Sequence, residues 1–210
     1  MINILIVDDH AIVRQGIKRI IDDVPNMEIT SEASNGNEAL ILIEKNHYDL
    51  ILLDISMPGL NGLQTLKLIK KNNNKIPVLM LSMYSEEQYA MRSIKAGASG
   101  YMTKDTVAYE LVTAIKKITQ GRKYISTQVA EMLATDLYHN EDKKPHEYLS
   151  DREFEILKMI ADGKKTSLIA NELIISPKTV STYRSRILEK LKLNTNSDLI
   201  HYVIEYDLND

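Results

Sequence analysis

Five polar residues in the first half of the chain each stand at the end of a short apolar run. They are Asp8, Asp9, Asp54, Ser82 and Lys104. Two neighbouring carboxylates repel each other unless a cation lies between them, and hard oxygen ligands favour Mg²⁺. A hydroxyl and an ammonium can both donate to phosphoryl oxygens. If folding brings these side chains together, they can hold a divalent cation and a phosphoryl group.

The apolar runs before these residues have the length and composition of β-strands that are buried on both faces. Amphipathic stretches of helical length separate them. The pattern predicts strands at 2–7, 27–31, 50–53, 77–81 and 100–102 and helices at 11–23, 36–44, 63–71, 86–96 and 108–120. Five strand–helix units with right-handed crossovers give a doubly wound parallel sheet of strand order 2-1-3-4-5. The polar side chains then meet at the carboxyl edge of the sheet, where such folds bind ligands.

Asp54 ends the predicted central strand and precedes a turn that contains Pro58 and Gly59. A lone aspartate at a strand end is more often an exposed turn residue. Matching polar chemistry at four successive strand ends favours a functional site instead. The backbone carbonyl of Ser56 is a further candidate ligand for Mg²⁺.

The second part of the chain is predicted to be all-helical. We place a first domain at 1–122, a linker with a short helix (127–137) at 123–147, and a second domain at 148–210. Ser150 and Glu153 have the spacing of a capping box, and Ser176 followed by Pro177 marks the start of a longer helix. A short helix, a tight turn and a longer basic helix are the layout of a helix-turn-helix.

Charge supports this interpretation of the second domain. The whole chain has a formal net charge of −3, but 164–192 holds seven basic residues against two acidic ones. A local excess of positive charge is what contact with phosphates requires. The absence of cysteine excludes disulfides, thiolate metal sites and cysteine nucleophiles. With no signal-peptide pattern and no apolar run of about 20 residues, we expect a cytoplasmic protein without a membrane partner.

The motifs around the five polar residues resemble the receiver domain of two-component response regulators. They are Val7-Asp8-Asp9-His10, Asp54-Ile55-Ser56-Met57-Pro58-Gly59, Leu81-Ser82-Met83 and Gly100-Tyr101-Met102-Thr103-Lys104-Asp105. The resemblance implies that Asp54 accepts the phosphoryl group from a sensor histidine kinase and that Asp8, Asp9 and Asp54 hold Mg²⁺. It also implies that Lys104 contacts the phosphoryl group. Ser82 and Tyr101 would form the conformational switch.

The second domain resembles the LuxR-type helix-turn-helix, and the whole chain then resembles a NarL/FixJ-type response regulator. The matching phrases are Leu149-Ser150-Asp151-Arg152-Glu153, Ile169-Ala170-Asn171-Glu172-Leu173 and Ser176-Pro177-Lys178-Thr179-Val180-Ser181-Thr182-Tyr183. The resemblance places the longer helix in the DNA major groove. Val180, Ile187 and Leu191 form its inward stripe.

The remaining polar side chains of that helix are expected to contact either the bases or the phosphates of DNA. Ser181, Thr182 and Ser185 would touch bases, and Arg184 would either read guanine or contact phosphate. The expected phosphate contacts are Lys178, Thr179, Tyr183, Arg186 and Lys190. Two copies of the chain would bind an inverted-repeat operator. The last helix would supply the dimer contact through Leu199 and Val203.

We therefore expect a transcription regulator in which phosphorylation of Asp54 switches dimerisation and DNA binding. Two rival functions are a Mg²⁺-dependent phosphohydrolase that uses Asp54 as nucleophile and a constitutive DNA binder or adaptor whose first domain only dimerises. The attached DNA-binding motif argues against the hydrolase, and the intact polar set argues against the adaptor. Only self-phosphorylation and slow self-dephosphorylation of Asp54 are expected as catalytic activity.

Overall fold

The apolar runs of the first part of the chain form one five-stranded parallel sheet in the computed structural model. The strand order is β2-β1-β3-β4-β5, so the predicted order and fold class are confirmed. The strands are β1 (Ile2–Val7), β2 (Met27–Ala33), β3 (Leu50–Asp54), β4 (Val78–Ser82) and β5 (Gly100–Thr103). Every residue of β3 and β4 is buried, because helices cover both faces of the sheet.

Helices alternate with these strands as the periodicity predicts. They are α1 (Ala11–Asp22), α2 (Gly36–Lys45), α3 (Gly62–Asn72), α4 (Glu86–Lys95) and α5 (Val107–Thr119). Aliphatic residues of the strands, α1 and α5 form one continuous core that includes Ile6, Ile21, Leu52 and Leu111. Strand β2 continues two residues beyond its predicted end, because Ala33 still pairs with Val7 of β1.

The structure describes residues 1–72, 75–83, 86–138 and 144–208. The chain divides into two units, Met1–Ala134 and Thr135–Asp210. Helix α6 (Thr127–Tyr138) covers the short helix predicted at 127–137. Among the described residues, no helix is long and apolar enough to cross a bilayer.

Four helices form the body of the second unit. They are α7 (Asp151–Ala161), α8 (Thr166–Glu172), α9 (Pro177–Leu191) and α10 (Asn196–Glu205). The predicted capping box begins α7: the Ser150 amide donates to Glu153 Oε2 at 2.7 Å, and the Glu153 amide donates to Ser150 Oγ at 3.3 Å. Ser176 caps α9 by accepting from the amide of Thr179 at 3.0 Å. The short α8 and longer α9 give the predicted helix-turn-helix.

The segment predicted as a linker, 123–147, is folded at both ends. Tyr124 bonds to the outer edge of β5, donating its amide to Ser99 O at 3.0 Å and accepting from the Tyr101 amide at 3.1 Å. Pro145–Tyr148 forms a 3₁₀ turn whose His146 is buried and lies 3.0 Å from the Tyr202 hydroxyl. Residues 139–143, the polar middle of the predicted linker, lie outside the described residues.

Candidate functional site

The carboxyl edge of the parallel sheet brings together the polar side chains that the sequence singles out. Asp8 follows β1, Asp54 is the last residue of β3, and Lys104 follows β5. The Lys104 ammonium lies 2.7 Å from Asp8 Oδ2 and 2.9 Å from Asp54 Oδ2. These three groups come from β1, β3 and β5, so their contact depends on the whole sheet having formed.

A close approach of backbone supports Asp54 from behind. A Cβ atom on Gly62, the first residue of α3, would lie 2.0 Å from the backbone oxygen of Asp54. No side chain fits there, so glycine is needed for α3 to begin directly against the end of β3. Strand β3 and helix α3 are therefore fixed together at the site.

Burial and charge set the electrostatics of this cluster. Asp8 is 0% exposed and Asp54 is 1% exposed. Burial, together with the negative charge of Asp8, raises the pKa of Asp54 to about 6, although Lys104 acts in the opposite direction. Burial alone would lower the pKa of Lys104, but the charges and hydrogen bonds of Asp54 and Asp8 outweigh it and raise that pKa. The cluster has more negative than positive charge and favours an added cation.

Ligand atoms for such a cation converge at the same edge. One atom each from Asp8, Asp9, His10 and Asp54 lies within 4.8 Å of the others. Asp54 Oδ1 is buried and has no hydrogen-bond partner among the described residues. Ser56 stands two residues past Asp54, and its backbone amide also lowers the pKa of that carboxyl. The carboxylate oxygens of Asp8, Asp9 and Asp54 are ligands of the kind that Mg²⁺ binds.

His10 is a member of this cluster that the sequence reasoning missed. Its Nδ1 lies 2.9 Å from Asp9 Oδ1 and 3.3 Å from Asp8 Oδ1. The signal was present in the sequence, because His10 directly follows the two aspartates. The ligands predicted from the sequence are oxygen atoms only, so the imidazole nitrogen is not among them.

Ser82 and Tyr101 are both buried, at 0% and 2% exposure. The backbone amide of Lys104 donates to the carbonyl of Ser82 at 2.7 Å. This bond joins the end of β4 to the backbone after β5 that carries Lys104. Tyr101 already points into the fold in this structure.

The second candidate site is the outer face of α9. Val180, Ile187 and Leu191 are buried as predicted. On the exposed face, three hydroxyls donate to the carbonyl four residues earlier: Ser181 to Pro177 at 3.0 Å, Thr182 to Lys178 at 3.0 Å and Ser185 to Ser181 at 3.1 Å. With their protons used in this way, these hydroxyls present lone pairs to a ligand. Such acceptors match the amino groups of adenine and cytosine in a major groove.

The side chains of α9 that are predicted to contact DNA phosphates differ in their exposure and in their contacts within the protein. Lys178 and Arg186 are exposed, and Thr179 and Tyr183 are half-buried. Lys190 instead forms an ion pair with Glu153 Oε2 at 2.6 Å and donates to Tyr148 O at 3.3 Å. Arg184 Nε donates to Asn196 Oδ1. Lys190 and Arg184 therefore also hold α9 against neighbouring segments of its own unit.

The dimer contacts predicted on α10 need correction. Leu199 and Val203 are both 0% exposed and belong to the core of the second unit. Their spacing of four residues places them on one helix face, and that face packs inward. The exposed apolar residue of α10 is Ile204, at 59% exposure. Leu199 and Val203 thus face their own domain rather than a partner.

Comparison with known proteins gives matches along nearly the whole chain. Residues 4–116 match the response regulator receiver domain, and residues 147–203 match the bacterial regulatory proteins of the luxR family. The chain is 36% identical over 209 residues to the response regulator UvrY of Escherichia coli (strain K12), covering 99% of this chain and 96% of UvrY. It is 36% identical over 211 residues to the response regulator GacA of Pseudomonas aeruginosa, covering 100% of this chain and 99% of GacA.

Solved structures show the same fold. RcsB from Salmonella enterica serovar Typhimurium, bound to promoter DNA in the presence of the phosphomimetic BeF3⁻, has a TM-score of 0.66 at 22% identity. The match covers 96% of this chain and 97% of RcsB.

Proposed function

The chain belongs to the two-component response regulators with a LuxR-type DNA-binding domain, and from that premise we propose that phosphorylation of Asp54 switches the dimerisation and sequence-specific DNA binding of this protein. Members of this group are transcription regulators rather than classical enzymes. A receiver domain implies a kinase as phosphodonor. We assign the receiver to 1–122, the linker to 123–147 and the DNA-binding domain to 148–210. The observation that carries the proposal is the Asp54 carboxylate, buried and held 2.9 Å from the Lys104 ammonium.

The proposed chemistry begins with nucleophilic attack by Asp54. A carboxylate oxygen forms a bond to the phosphorus of a phosphohistidine or a small acyl phosphate, and the bond from phosphorus to the histidine nitrogen or acyl oxygen breaks. Lys104 stays in contact with the transferred group through its point charge. Because Asp54 accepts only as the carboxylate, a pKa near 6 leaves it ionised at neutral pH.

Receiver domains bind Mg²⁺ at an acidic pocket, and the residues of this chain fit that ion. Asp8, Asp9 and Asp54 would hold it, with the backbone carbonyl of Ser56 as a further ligand. The bound ion would supply positive charge for the phosphoryl oxygens. The same site would slowly restore Asp54: water attacks phosphorus, the bond to the carboxylate oxygen breaks, and inorganic phosphate leaves.

Phosphorylation adds a charge of about −1.5 to −2 and strong acceptor oxygens next to Lys104. We assign Ser82 as a donor to one of those oxygens and Tyr101 as its partner in the switch. The hydrogen bond from the Lys104 amide to Ser82 O supports this coupling between β4 and β5. Moving an equilibrium from mostly off to mostly on takes about 5.5 kcal/mol. A few charge-assisted hydrogen bonds of roughly 1.5–3 kcal/mol each supply that amount.

The proposed output is binding of a homodimer to double-stranded DNA at an inverted repeat. Helix α9 enters the major groove, with Ser181, Thr182 and Ser185 at base edges and Lys178 and Arg186 at phosphates. A single helix-turn-helix buries too little surface for tight binding, so two copies are needed.

An operator titration tests this function. A preferred duplex is first selected from a random library with acetyl-phosphate-treated protein. Its affinity is then measured for untreated protein, treated protein and treated Asp54→Asn, at several protein concentrations. We expect treatment to tighten binding of the wild type only. Equal affinities for all three samples would reject the coupling between Asp54 and DNA.

A further inference from the structure

The segment that follows α5 lies along the outer edge of β5, beside Tyr101. The chain turns back at Gly121, whose φ of 80° lies in the left-handed region that favours glycine. The Tyr124 amide then donates to Ser99 O at 3.0 Å, and the Tyr101 amide donates to Tyr124 O at 3.1 Å. The two hydrogen bonds form a parallel bridge between Tyr124 and Gly100, which we call the Tyr124 bridge. It gives partners to backbone groups that an edge strand would otherwise present to solvent.

The Tyr124 bridge depends on glycine at position 100. A Cβ atom on Gly100 would lie 2.7 Å from the backbone oxygen of Tyr124 and 3.0 Å from Leu79 Cδ1. The first of these neighbours is backbone, which cannot move aside as the end of a flexible side chain can. Because Gly100 has no side chain, the segment can approach β5 closely enough to form both hydrogen bonds.

The side chain of Tyr124 fastens the bridge to α5. Its hydroxyl donates to the carboxylate of Glu110, and Nζ of Lys117 lies 5.5 Å from the centre of its ring. Glu110 and Lys117 are separated by about two helical turns, so they lie on the same face of α5. The half-buried ring also packs against the core of the first unit. A charge-assisted hydrogen bond and a cation–π contact therefore hold Tyr124 in place.

We propose that Tyr124 is a positioning residue for the switch: its bridge to β5 stabilises the buried orientation of Tyr101, and phosphorylation of Asp54 strengthens the bridge. The inference rests on the proposed function, because it takes Tyr101 as the switch residue and its buried orientation as the one that phosphorylation favours. Helix α6 begins at Thr127, three residues after Tyr124. The bridge thus lies between the switch and the segment that leads along the chain to the DNA-binding domain.

The backbone of Tyr101 connects the bridge to the side chain of Tyr101. A side-chain rotamer is compatible only with certain backbone angles, and the hydrogen bond from the Tyr101 amide to Tyr124 O holds that backbone. With the bridge formed, Tyr101 is 2% exposed. Coupling free energies are reciprocal. If the bridge favours the buried orientation of Tyr101, a phosphoryl group that favours the same orientation must also strengthen the bridge.

Hydrogen exchange of backbone amides, resolved by mass spectrometry, tests the bridge in the full-length chain. The proteins are the wild type, Tyr124→Phe, Glu110→Ala and the control Tyr109→Phe. Tyr109 lies beside Glu110 on α5 and is 88% exposed, so its hydroxyl serves as a matched control. Each protein is measured before and after treatment with acetyl phosphate and Mg²⁺, and intact mass gives the phosphorylated fraction. Circular dichroism confirms that each variant is folded.

We expect the amides of Tyr101 and Tyr124 to exchange about two- to tenfold faster in Tyr124→Phe and Glu110→Ala than in the wild type, the effect of losing one hydrogen bond. Phosphorylation should slow the exchange of both amides in the wild type. A purely structural role of Tyr124 would not produce this second effect. The control Tyr109→Phe should match the wild type. Wild-type exchange rates in both test variants, or exchange in the wild type that phosphorylation does not slow, would overturn the proposal.

An operator titration connects the bridge to DNA binding. Tyr124→Phe and Glu110→Ala should reach the same phosphorylated fraction as the wild type, but their gain in operator affinity on phosphorylation should be about two- to tenfold smaller. A gain equal to that of the wild type in both variants would overturn the positioning role.

The two measurements separate this proposal from the function on which it rests. A wild type that is not phosphorylated, or that gains no operator affinity on phosphorylation, would refute the proposed function. The exchange rates of the untreated proteins would still decide whether Tyr124 holds the backbone of Tyr101.

Discussion

Replacing Asp54 by asparagine should stabilise the metal-free protein above pH 6. Burial and the charge of Asp8 raise the pKa of Asp54 from 3.8 to about 6. A carboxyl with a raised pKa contributes stability that is fully present below its unfolded pKa and is lost as pH rises through the folded value. Wild-type protein therefore loses stability between about pH 4 and pH 6 because Asp54 ionises. Asparagine has nearly the same shape and cannot ionise, so the variant escapes that loss.

The size of the effect follows from the shift. About two pKa units correspond to about 3 kcal/mol at 1.36 kcal/mol per unit. The opposing effect of Lys104, whose ammonium lies 2.9 Å from Asp54 Oδ2, is already contained in this net shift. We expect a net increase of about 1–3 kcal/mol in the free energy of unfolding at pH 7.5. At pH 4.5, between the unfolded and folded pKa values, only about a third of that increase should remain.

The assay is urea unfolding of the full chain in EDTA, followed by circular dichroism from pH 4.5 to 8. Asp22→Asn serves as the control, because Asp22 is exposed on α1. That variant should show no gain that depends on pH. An Asp54→Asn gain that is absent at pH 7.5, or constant across the range, would refute the reasoning that burial and Asp8 destabilise the ionised carboxylate.

Three further predictions concern the second domain. Leu199→Ala should lower the free energy of unfolding by about 2–5 kcal/mol, and Ile204→Ala should lower it by less than about 0.5 kcal/mol. If urea unfolding shows equal losses of this free energy in the two variants, the assignment of Leu199 to the core is contradicted. Ile174 has a backbone φ of 52° and a side chain that is 70% exposed. Ile174→Gly should therefore raise the free energy of unfolding by about 1 kcal/mol. A lower free energy of unfolding in this variant would count against backbone strain at Ile174. Lys178→Gln should weaken operator binding and reduce the slope of log affinity against log salt by about 1; an unchanged slope would remove Lys178 from the phosphate contacts.

The sheet and its polar edge could be predicted from the sequence because the relevant signals are local. Continuous apolar runs identify strands that are buried on both faces, and β3 and β4 are buried at every position. A parallel sheet then places the strand ends together whatever their separation in sequence. This is why the sequence alone assigns residues as distant as Asp8 and Lys104 to one cluster, and their side chains lie 2.7 Å apart.

The features that sequence reasoning missed depend on pairings between distant residues. An apolar stripe on α10 could face a partner or its own domain, and only the packed unit shows that Leu199 is in the core. The polar linker composition gave no sign that His146 would be buried, because its partner Tyr202 lies 56 residues away. Lys190 looked like a free phosphate contact, but it pairs with Glu153 across 37 residues.

The phosphoacceptor role of Asp54 is tested most directly by intact mass after treatment with acetyl phosphate and Mg²⁺. We expect the wild type to gain the mass of one phosphoryl group, which acid or heat then removes, and Asp54→Asn to gain none. Equal phosphate incorporation in the two proteins, or none in the folded wild type, would contradict the assignment of Asp54 as the acceptor.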